Sequence, residues 1–600
     1  MSTSSQTLTK CLIETADGPI YGFQDVREDG TYYKFKKIPY AKPPLGALRF
    51  RPPSAVTPWK EVLDCTQDAD LPIHSKDGEI CGSEDCLYIE ISTKSIKRDK
   101  PLPVMFWIGT YLFSINIDNY FDPSLLNDHD VIFVRCGFRL GPLGFLSINE
   151  FTAPGNSGLK DLVMALKWIQ RNIDRFGGDP NNVTIFGSST GGSAVHLLMM
   201  SPMASGLFHK AIIQSSSVLN NWSLTKNPSL AVMELSKKLG VTKLNVLEMV
   251  EELRLFSAED IIKATESLQE KLMGSDQGNI FDCIFKPCIE DDLEGLAAFL
   301  PKSPILILKS GNFNKVPLII GSNNIEGSVL EYLDKDFFSN CKIYEEDVGC
   351  LVPRSLSCNP KYSKDIGQKL FNFYLGEDHT CENIKTQYLQ LISDYYFLYY
   401  VNKTVRLHSE FAPECPVFYY IVNCAGEWSV PKELNFLSNL GHSAEIPFIF
   451  RIRTTDSPSN PEICKGSRDS IVTRSRVVKM WTNFAKFGNP TPEEDDPLLE
   501  IKWDSVDNKE KLNYLSIGTE LTKGRNPFHE RMIFWEQLHK DFTFLRMLVY
   551  FNDIGVVCVL PSVVEKHDDT SDERVQSAIV EVEQLSQWPV KGWVTKSLLY

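Results

Sequence analysis

The stretch Val183-Thr184-Ile185-Phe186-Gly187-Ser188-Ser189-Thr190-Gly191-Gly192-Ser193-Ala194-Val195 decides the fold. It begins with a short apolar run typical of a buried strand and ends with residues that favour the start of a helix. Between them lies the pattern Gly-x-Ser-x-Gly, centred on Ser189. A sharp turn from strand to helix exposes a serine hydroxyl at a helix N-terminus, where developing negative charge is stabilised. The stretch therefore predicts that Ser189 is a nucleophile, with a serine in an ordinary turn as the alternative.

Apolar runs with strand character alternate with helical patterns around this stretch. The predicted strands are 104–108, 131–134, 316–320 and 416–422. Between the second strand and the opening stretch, residues 159–174 repeat apolar side chains at the spacing of one helical face. This alternation predicts an α/β fold, with a buried, mostly parallel sheet and helices on both of its faces.

A serine nucleophile needs a base to take its proton, and the base needs an acid to fix its tautomer. With this motif the acid and then the histidine follow the serine along the chain. Glu326 lies just beyond the predicted strand 316–320, and His442 lies in a loop of glycine and small residues. On the residues alone, a solvent-facing Glu326 and a loop His442 without a partner remain equally open.

Three other histidines compete with His442 for the role of base. His196, His209 and His408 lie in helix-like runs. Side chains in such runs are packed or solvated, so the sequence favours His442.

Composition and charge exclude several classes of function. The 600 residues are 43% hydrophobic and carry a net charge of −15, which predicts a globular protein that does not bind nucleic acid. The first ten residues lack the apolar region of a secretory signal, and no run of about 18 apolar residues occurs. The 15 cysteines are too sparse for a disulfide scaffold. These features predict a cytoplasmic protein without a transmembrane span.

The domain boundaries are predicted from changes in sequence character. Residues 1–10 are a tail, residues 11–540 form the α/β domain, and residues 541–600 are an appended tail of unknown role. The apolar run 542–564 in that tail is interrupted by Arg546 and Asp553, which disfavours a membrane span.

Further motifs occur in a fixed order along the chain, and each is longer than chance would produce. They are Ile38-Pro39-Tyr40-Ala41-Lys42-Pro43-Pro44, Gly82-Ser83-Glu84-Asp85-Cys86-Leu87-Tyr88, Phe138-Arg139-Leu140-Gly141-Pro142-Leu143-Gly144-Phe145, Gly155-Asn156-Ser157-Gly158-Leu159-Lys160-Asp161, Phe176-Gly177-Gly178-Asp179-Pro180 and Trp481-Thr482-Asn483-Phe484-Ala485. With them the chain resembles the type-B carboxylesterase and cholinesterase family, and within it the intracellular α-esterases of insects. The likeness spans about residues 10–540.

The resemblance implies an α/β-hydrolase fold and hydrolysis of small hydrophobic carboxylic esters through an acyl-enzyme, without metal or cofactor. It implies that Ser189 is the nucleophile, Glu326 the orienting acid and His442 the general base and acid. In secreted relatives the cysteine matching Cys86 forms a disulfide with an upstream cysteine. Cys65 and Cys81 do not sit clearly at the partner's position.

One loop departs from the family pattern. Relatives carry His-Gly-Gly-Gly-Phe, whose second and third glycines donate backbone N–H groups to the oxyanion. This chain has Gly109-Thr110-Tyr111-Leu112-Phe113. The Cβ atoms of Tyr111 and Leu112 oppose a positive φ by about 1–2 kcal/mol each, so we expect the loop to take another path. Loss of one donor typically lowers the rate by about 10²–10³.

Other donors and a second departure bear on the same site. The Thr190 amide is the third donor that the resemblance implies, and the Tyr111 hydroxyl is a candidate substitute. Relatives place a glutamate before the nucleophile, where this chain has Ser188.

Two functions remain open on the sequence. One is a serine carboxylesterase, slowed by the altered loop, with xenobiotic esters among its substrates. The other is a catalytically decayed protein that binds or sequesters hydrophobic esters or xenobiotics. Cholinesterase activity is disfavoured because residues 71–80 contain no tryptophan to bind a quaternary ammonium. Adhesion of the neuroligin type is disfavoured because no signal or spanning segment is seen.

Overall fold

The protein is described from a computed structural model, which covers residues 9–76, 78–274, 283–330, 347–352, 360–376, 381–428, 441–453, 465–493 and 495–554. The chain divides into two compact units. The first unit comprises residues 1–341 and 378–529, and the second comprises residues 342–377 and 530–600. All the predicted site residues belong to the first unit.

The strands of the described residues lie almost entirely in one large sheet. In chain order they are β1 Lys10–Glu14, β2 Pro19–Arg27, β3 Gly30–Pro39, β4 Leu63–Asp64, β5 His74–Lys76, β6 Glu79–Cys81, β7 Tyr88–Thr93, β8 Leu102–Trp107, β9 Phe121–Asp122, β10 Ile132–Cys136, β11 Gly178–Ser188, β12 Lys210–Gln214, β13 Leu318–Asn323, β14 Val417–Val422, β15 Arg451–Ile452, β16 Asn513–Ile517 and β17 Leu521–Arg525.

The large sheet has 13 strands in the order β1-β2-β3-β7-β10-β8-β11-β12-β13-β14-β16-β17, with β4 paired to β2. Its centre, from β10 to β16, is parallel. Its two ends are antiparallel, β1-β2-β3-β7-β10 on one side and β16-β17 on the other. Parallel strands end at the same edge of a sheet, so residues that follow β8, β11 and β13 are brought together.

The predicted strands are confirmed with small shifts. The strand predicted at 104–108 is β8, that at 131–134 is β10 and that at 416–422 is β14. The strand predicted at 316–320 starts at Leu318, so Pro317 lies just before it and no ladder hydrogen bond is lost.

The helices surround the sheet. Among the described residues, those of the first unit are α1 Ser124–Asn127, α2 Gly141–Phe145, α3 Ser157–Asn172, α4 Thr190–Met200, α5 Pro228–Lys238, α6 Val246–Leu253, α7 Ala258–Gly274, α8 Pro304–Ser310, α10 Cys381–Ser393, α11 Tyr399–Phe411 and α12 Arg468–Phe487. Two further helices, α9 Pro360–Leu370 and α13 His529–Ile554, lie wholly or mainly in the second unit. The predicted helix 159–174 is α3, followed by a 3₁₀ turn at Ile173–Phe176.

Alternate residues of the central strands enter two separate cores. Phe106 of β8 packs in one cluster with Leu162 of α3 and Leu198 of α4. The next residue, Trp107, packs in the other cluster with Trp481 of α12. The prediction of a mostly parallel sheet with helices on both faces is therefore confirmed.

The second unit is built from aromatic contacts between its own helices. Phe373 stacks on Phe534 with ring centroids 4.0 Å apart, and the Trp535 indole N–H donates to the Tyr374 hydroxyl over 2.6 Å. Helix α13 crosses the predicted boundary at residue 541, and residues 555–600 lie outside the described residues. The role and limits of the predicted tail stay a prediction. Within the described part of the chain, every helix is too short or too polar to cross a membrane.

Candidate active site

Ser189 lies in the turn between β11 and α4, where the sequence predicts a nucleophile. Its backbone has φ 57° and ψ −128°, a conformation that is strained for a residue with a side chain. Its N–H donates to the carbonyl of Gln214 over 2.9 Å, and its carbonyl accepts from the N–H of Ser193 over 2.9 Å. Both backbone groups of Ser189 are thus bound, which holds the strained turn in place.

The glycine after the nucleophile makes this turn possible. A Cβ atom at Gly191 would lie 2.2 Å from the carbonyl oxygen of Ile108, at the end of β8. No side chain fits at that distance. The Gly-x-Ser-x-Gly pattern therefore reflects a close approach between the start of α4 and the segment that follows β8.

The structure brings together the three side chains that the sequence singles out. His442 Nε2 lies 2.7 Å from Ser189 Oγ, and His442 Nδ1 lies 2.7 Å from Glu326 Oε2. Ser189 is 8% exposed, His442 1% and Glu326 0%. The three groups form one buried, continuous chain of hydrogen bonds.

Backbone contacts fix the acid and the histidine relative to each other. Glu326 opens a short 3₁₀ helix, Glu326–Val329, just beyond β13. Its Oε1 accepts from the N–H of Asn323 over 2.6 Å, and its carbonyl accepts from the N–H of His442 over 3.2 Å. With a carboxylate at Nδ1, the imidazole carries its proton there and presents Nε2 as an acceptor for the serine hydroxyl.

A second buried carboxyl group, Glu445, lies behind the nucleophile. Its Oε1 accepts from the Ser188 hydroxyl over 2.8 Å, and its Oε2 accepts from the Asn323 side-chain amide over 2.7 Å. Burial and the negative charge of Glu326 raise the pKa of Glu445. Ser188 stands where the resemblance leads one to expect a glutamate, and it binds a glutamate from elsewhere in the chain.

The loop after β8 has positive φ angles in spite of its side chains. Leu112 and Phe113 both have φ of 52°, so Leu112 adopts the conformation that its Cβ atom opposes. That the loop takes a path different from that of relatives stays a prediction. Phe113 is fully buried and packs edge to face on Phe145, with ring centroids 5.2 Å apart. Burial of this aromatic ring offsets the backbone strain of the loop.

The backbone of this loop also decides which of its N–H groups are already bonded within the protein. The Tyr111 N–H donates to the carbonyl of Ile115 over 2.8 Å and is therefore not available to a ligand. Among the described residues, the Leu112 N–H donates to no other group. The Thr190 N–H opens α4 and has no acceptor within the helix.

Two further contacts hold the loop in place. The Thr190 hydroxyl donates to the Thr110 carbonyl over 2.9 Å, which joins the loop to the start of α4. On the other side, the Asn116 amide donates to the Gly109 carbonyl over 3.1 Å, and Trp107 Nε1 donates to the Asp118 carboxylate over 2.8 Å.

Gly109 itself lies against the buried Asp118. A Cβ atom at Gly109 would lie 1.8 Å from Asp118 Oδ1, so this position admits no side chain. Burial raises the pKa of Asp118 despite the positive charge of Arg135 nearby.

The other candidate histidines lie apart from the site. His196 of α4 and His408 of α11 are buried and face each other, with their Nε2 atoms 3.0 Å apart. The Val218 N–H donates to His196 Nδ1 over 3.0 Å. The expectation that His209 lies in a helix is wrong, since it precedes β12 and its Nδ1 accepts from the Val183 N–H over 3.1 Å.

The cysteines near the family disulfide position are free thiols. Cys65 and Cys86 are buried and Cys81 is partly buried. Burial raises the pKa of Cys65 to about 12, so this thiol stays protonated.

Sequence reasoning missed several residues of the site. Glu445 stands three positions after His442, and that proximity was a usable signal. Asp118 gave a weaker signal, a carboxylate near a glycine-poor loop. Phe397, whose ring lies 4.5 Å from that of His442, gave none.

The chain is similar in sequence to several known esterases. Juvenile hormone esterase from Tribolium castaneum is 30% identical over 87% of the chain and 93% of its own length. Esterase FE4 from Myzus persicae is 32% identical over 81% of the chain and 86% of its own length. Pyrethroid hydrolase Ces2e from Rattus norvegicus is 30% identical over 84% of the chain and 85% of its own length. Residues 9–535 match the model of the carboxylesterase family, and the chain therefore belongs to that family.

Proposed function

We propose that this protein is a serine carboxylesterase that hydrolyses carboxylic esters through an acyl-enzyme. The observation that carries the proposal is the chain of two 2.7 Å contacts from Ser189 through His442 to Glu326. Membership of the carboxylesterase family and the esterase relatives support ester hydrolysis.

The proposed reaction has two similar halves. His442 Nε2 takes the proton of Ser189 as the hydroxyl oxygen attacks the ester carbonyl, and Glu326 stabilises the imidazolium that forms. The imidazolium then protonates the leaving alcohol. In the second half a water molecule attacks the acyl-enzyme with His442 as base. The imidazolium then returns the proton to Ser189 Oγ as its bond to the acyl group breaks and the carboxylic acid leaves. In this proposal the protein's own side chains suffice, without metal or cofactor.

The group of N–H donors for the oxyanion is the least complete part of the proposed site. The amides of Leu112 and Thr190 are the proposed donors, while that of Tyr111 is committed to Ile115. One missing donor typically lowers kcat by about 10²–10³. We therefore propose a slow esterase, unless the Tyr111 hydroxyl replaces the missing amide.

Small hydrophobic esters are the proposed substrates, including xenobiotic esters. The buried site favours uncharged groups, since a charged group would lose its hydration there. The pyrethroid hydrolase among the relatives supports a role with foreign esters.

A second candidate function is sequestration of hydrophobic esters by a fold that has lost turnover. The committed amide of Tyr111 favours it, because the enzyme would then acylate, or bind, without efficient release. Both functions use the same buried site and differ in whether the bound or acylated ester is turned over.

Pre-steady-state hydrolysis of p-nitrophenyl acetate separates the two functions. The esterase is expected to give a burst of one nitrophenol per protein and then steady turnover, and Ser189→Ala is expected to give neither. Ser193→Ala is the matched control, because Ser193 is a buried serine of α4 whose hydroxyl has no hydrogen-bond partner among the described residues. Equal release by wild type and Ser189→Ala would contradict the esterase, and a burst without turnover would favour sequestration.

We further propose that the protein acts in the cytoplasm. The free thiols of Cys65, Cys81 and Cys86 support a reducing compartment. Fractionation of cells that express the full chain should recover it with cytosolic markers, and recovery with secretory markers would contradict the proposal.

A further inference from the structure

One helical stretch beside the site contains an unusual turn. Helices α10 and α11 form a continuous run that is π-helical at Asp394–Leu398, here called the π segment. A π turn holds one more residue than an α turn, so it rotates the side chains that follow and releases a carbonyl from the regular ladder. Such turns are frequent at functional sites.

The π segment places Phe397 against the histidine of the site. The rings of Phe397 and His442 have centroids 4.5 Å apart and planes tilted by 37°. Phe397 is fully buried, so its ring has little room to move away.

This contact supplies a restraint that the hydrogen bonds of His442 lack. The bonds to Ser189 and Glu326 fix the positions of Nε2 and Nδ1. A planar ring held at two atoms can still rock about the line that joins them. An aromatic ring against its face stops that motion and keeps Nε2 directed at the serine oxygen.

The π segment is anchored on its other side by hydrogen bonds to its backbone. The Tyr396 carbonyl accepts from Trp222 Nε1 over 3.0 Å and from the Asn220 side-chain amide. The Trp222 ring in turn lies 5.9 Å from that of Phe397. The position of Phe397 is therefore set by both the turn and its neighbours.

The residue that precedes the π segment reaches the acid as well. The Ser393 hydroxyl accepts from the N–H of Gly327, the residue after Glu326, over 2.8 Å. It donates to the Leu389 carbonyl over 2.6 Å. One helical element thus contacts the His442 ring directly and also binds the backbone of the turn that carries Glu326.

We propose that the π segment aligns the base with the acid, with Phe397 as a positioning residue for His442. The inference rests on the proposed function, because it concerns the same histidine. The face of the Phe397 ring carries negative electrostatic potential, so it also favours the imidazolium over the neutral imidazole.

The variants for the test are Phe397→Leu, which keeps an apolar side chain without a ring, and Phe397→Tyr, which keeps the ring. Phe313→Leu is the matched control, since Phe313 contacts the buried His408, with ring centroids 5.0 Å apart, outside the site. The readouts are kcat, KM and the pH profile of kcat/KM with p-nitrophenyl acetate.

For Phe397→Leu we expect kcat to fall by about 10- to 100-fold, with KM within about twofold, because misalignment affects the reaction more than binding. The pH profile of kcat/KM should also move, because the variant lacks the ring face that favours the protonated base, and Phe397→Tyr should restore both kcat and the profile. An equal fall of kcat in Phe313→Leu, or an unchanged pH profile, would overturn the inference.

A second measurement does not depend on turnover. The pKa of the His442 imidazole can be read by NMR with labelled histidine, assigned by His442→Gln. A lower pKa in Phe397→Leu than in wild type supports the inference even if no ester is hydrolysed, in which case only the proposed function fails. An identical pKa in the two proteins would refute the inference.

Discussion

Two turns of the site have the same kind of backbone strain, and different contacts hold each of them in place. The turn at Ser189 and the loop at Leu112 each place a residue with a side chain at positive φ, 57° and 52°. At Ser189 glycine follows within two residues and both backbone groups are hydrogen-bonded. In the loop the glycines of the family pattern are gone, and a buried Phe113 holds the conformation instead.

The difference shows that a positive φ does not by itself leave the neighbouring N–H groups free. The loop has the positive φ that glycine allows, yet the Tyr111 N–H is used within the loop. The Ser189 turn is held by two hydrogen bonds of its backbone. Its hydroxyl takes no part in them and lies within hydrogen-bond distance of His442. We therefore expect changes at the hydrogen-bonded chain to abolish activity and changes in the loop to tune it.

The largest effect is expected for Glu326→Gln. The glutamine oxygen would keep the bond from the Asn323 N–H, and its NH₂ would face His442 Nδ1, which reverses the tautomer. We expect kcat to fall by about 10⁴-fold with an unchanged thermal midpoint. The control is Glu84→Gln, which loses an ion pair with Arg49 away from the site and should keep its kcat. A loss of less than tenfold in Glu326→Gln would show that the chain of hydrogen bonds is not used.

The next effect is a gain in rate from restored glycines. Tyr111→Gly combined with Leu112→Gly should raise kcat by about 10²–10³ if the loop then frees the missing amide. Leu112→Gly alone should leave kcat nearly unchanged and shift the thermal midpoint little, because the strain of about 1–2 kcal/mol that it relieves is offset by lost packing of the Leu112 side chain against the core. No gain in the double variant would place the defect elsewhere, and the whole gain in the single variant would assign it to the Leu112 side chain.

A third effect concerns acid. Burial lowers the pKa of His408 from 6.5 to about 4, so the unfolded chain binds a proton there before the folded one does. Stability is then full above pH 6.5 and falls as the pH drops towards 4, by about 2 kcal/mol between pH 6.5 and 5. His196 lies on α4, the helix that follows Ser189. Burial and the charge of His408 lower the pKa of His196 as well. The thermal midpoint of His408→Gln should therefore fall less between pH 7 and 5 than that of wild type, and equal falls would contradict this origin.

The smallest effect is expected at the base of the loop. Gly109→Ala would push a methyl group against Asp118 and should lower the free energy of unfolding by about 1–3 kcal/mol. Gly518→Ala is the control, because its nearest neighbour would be the Glu520 carbonyl at 3.5 Å. Equal unfolding curves for the two variants would show that the loop yields freely, and the contrast with the Ser189 turn would disappear.

The elements predictable from sequence are those with local signals. The apolar runs of β8, β10, β11, β13 and β14 and the periodicity of α3 identify the sheet and its covering helix. The order of Ser189, Glu326 and His442 along the chain places each residue beyond a strand or in a loop at one sheet edge. Local pattern was enough for the sheet. For Glu326 and His442 it left alternatives open, and the resemblance to the esterase family decided between them.

What could not be predicted depends on contacts between distant residues. The path of the loop is set by Asp118 and Trp107, whose hydrogen bond is invisible in a one-dimensional pattern. Glu445 belongs to the site because it binds the hydroxyl of Ser188, which is 257 residues away in the chain. The π segment disturbs helical periodicity by a single residue, too little to detect among the aromatic side chains around Phe397.

The contact between Gly109 and Asp118 constrains how this protein can change by successive substitutions. A histidine at position 109, as in relatives, cannot enter while the Asp118 carboxylate occupies the same space. Asp118 cannot simply be lost either, since Trp107 and Asn116 would each lose a buried acceptor. The effect of a substitution at Gly109 therefore depends on the residue at position 118. To introduce a histidine at position 109, Asp118 has to be replaced first, by a residue that still accepts the two hydrogen bonds.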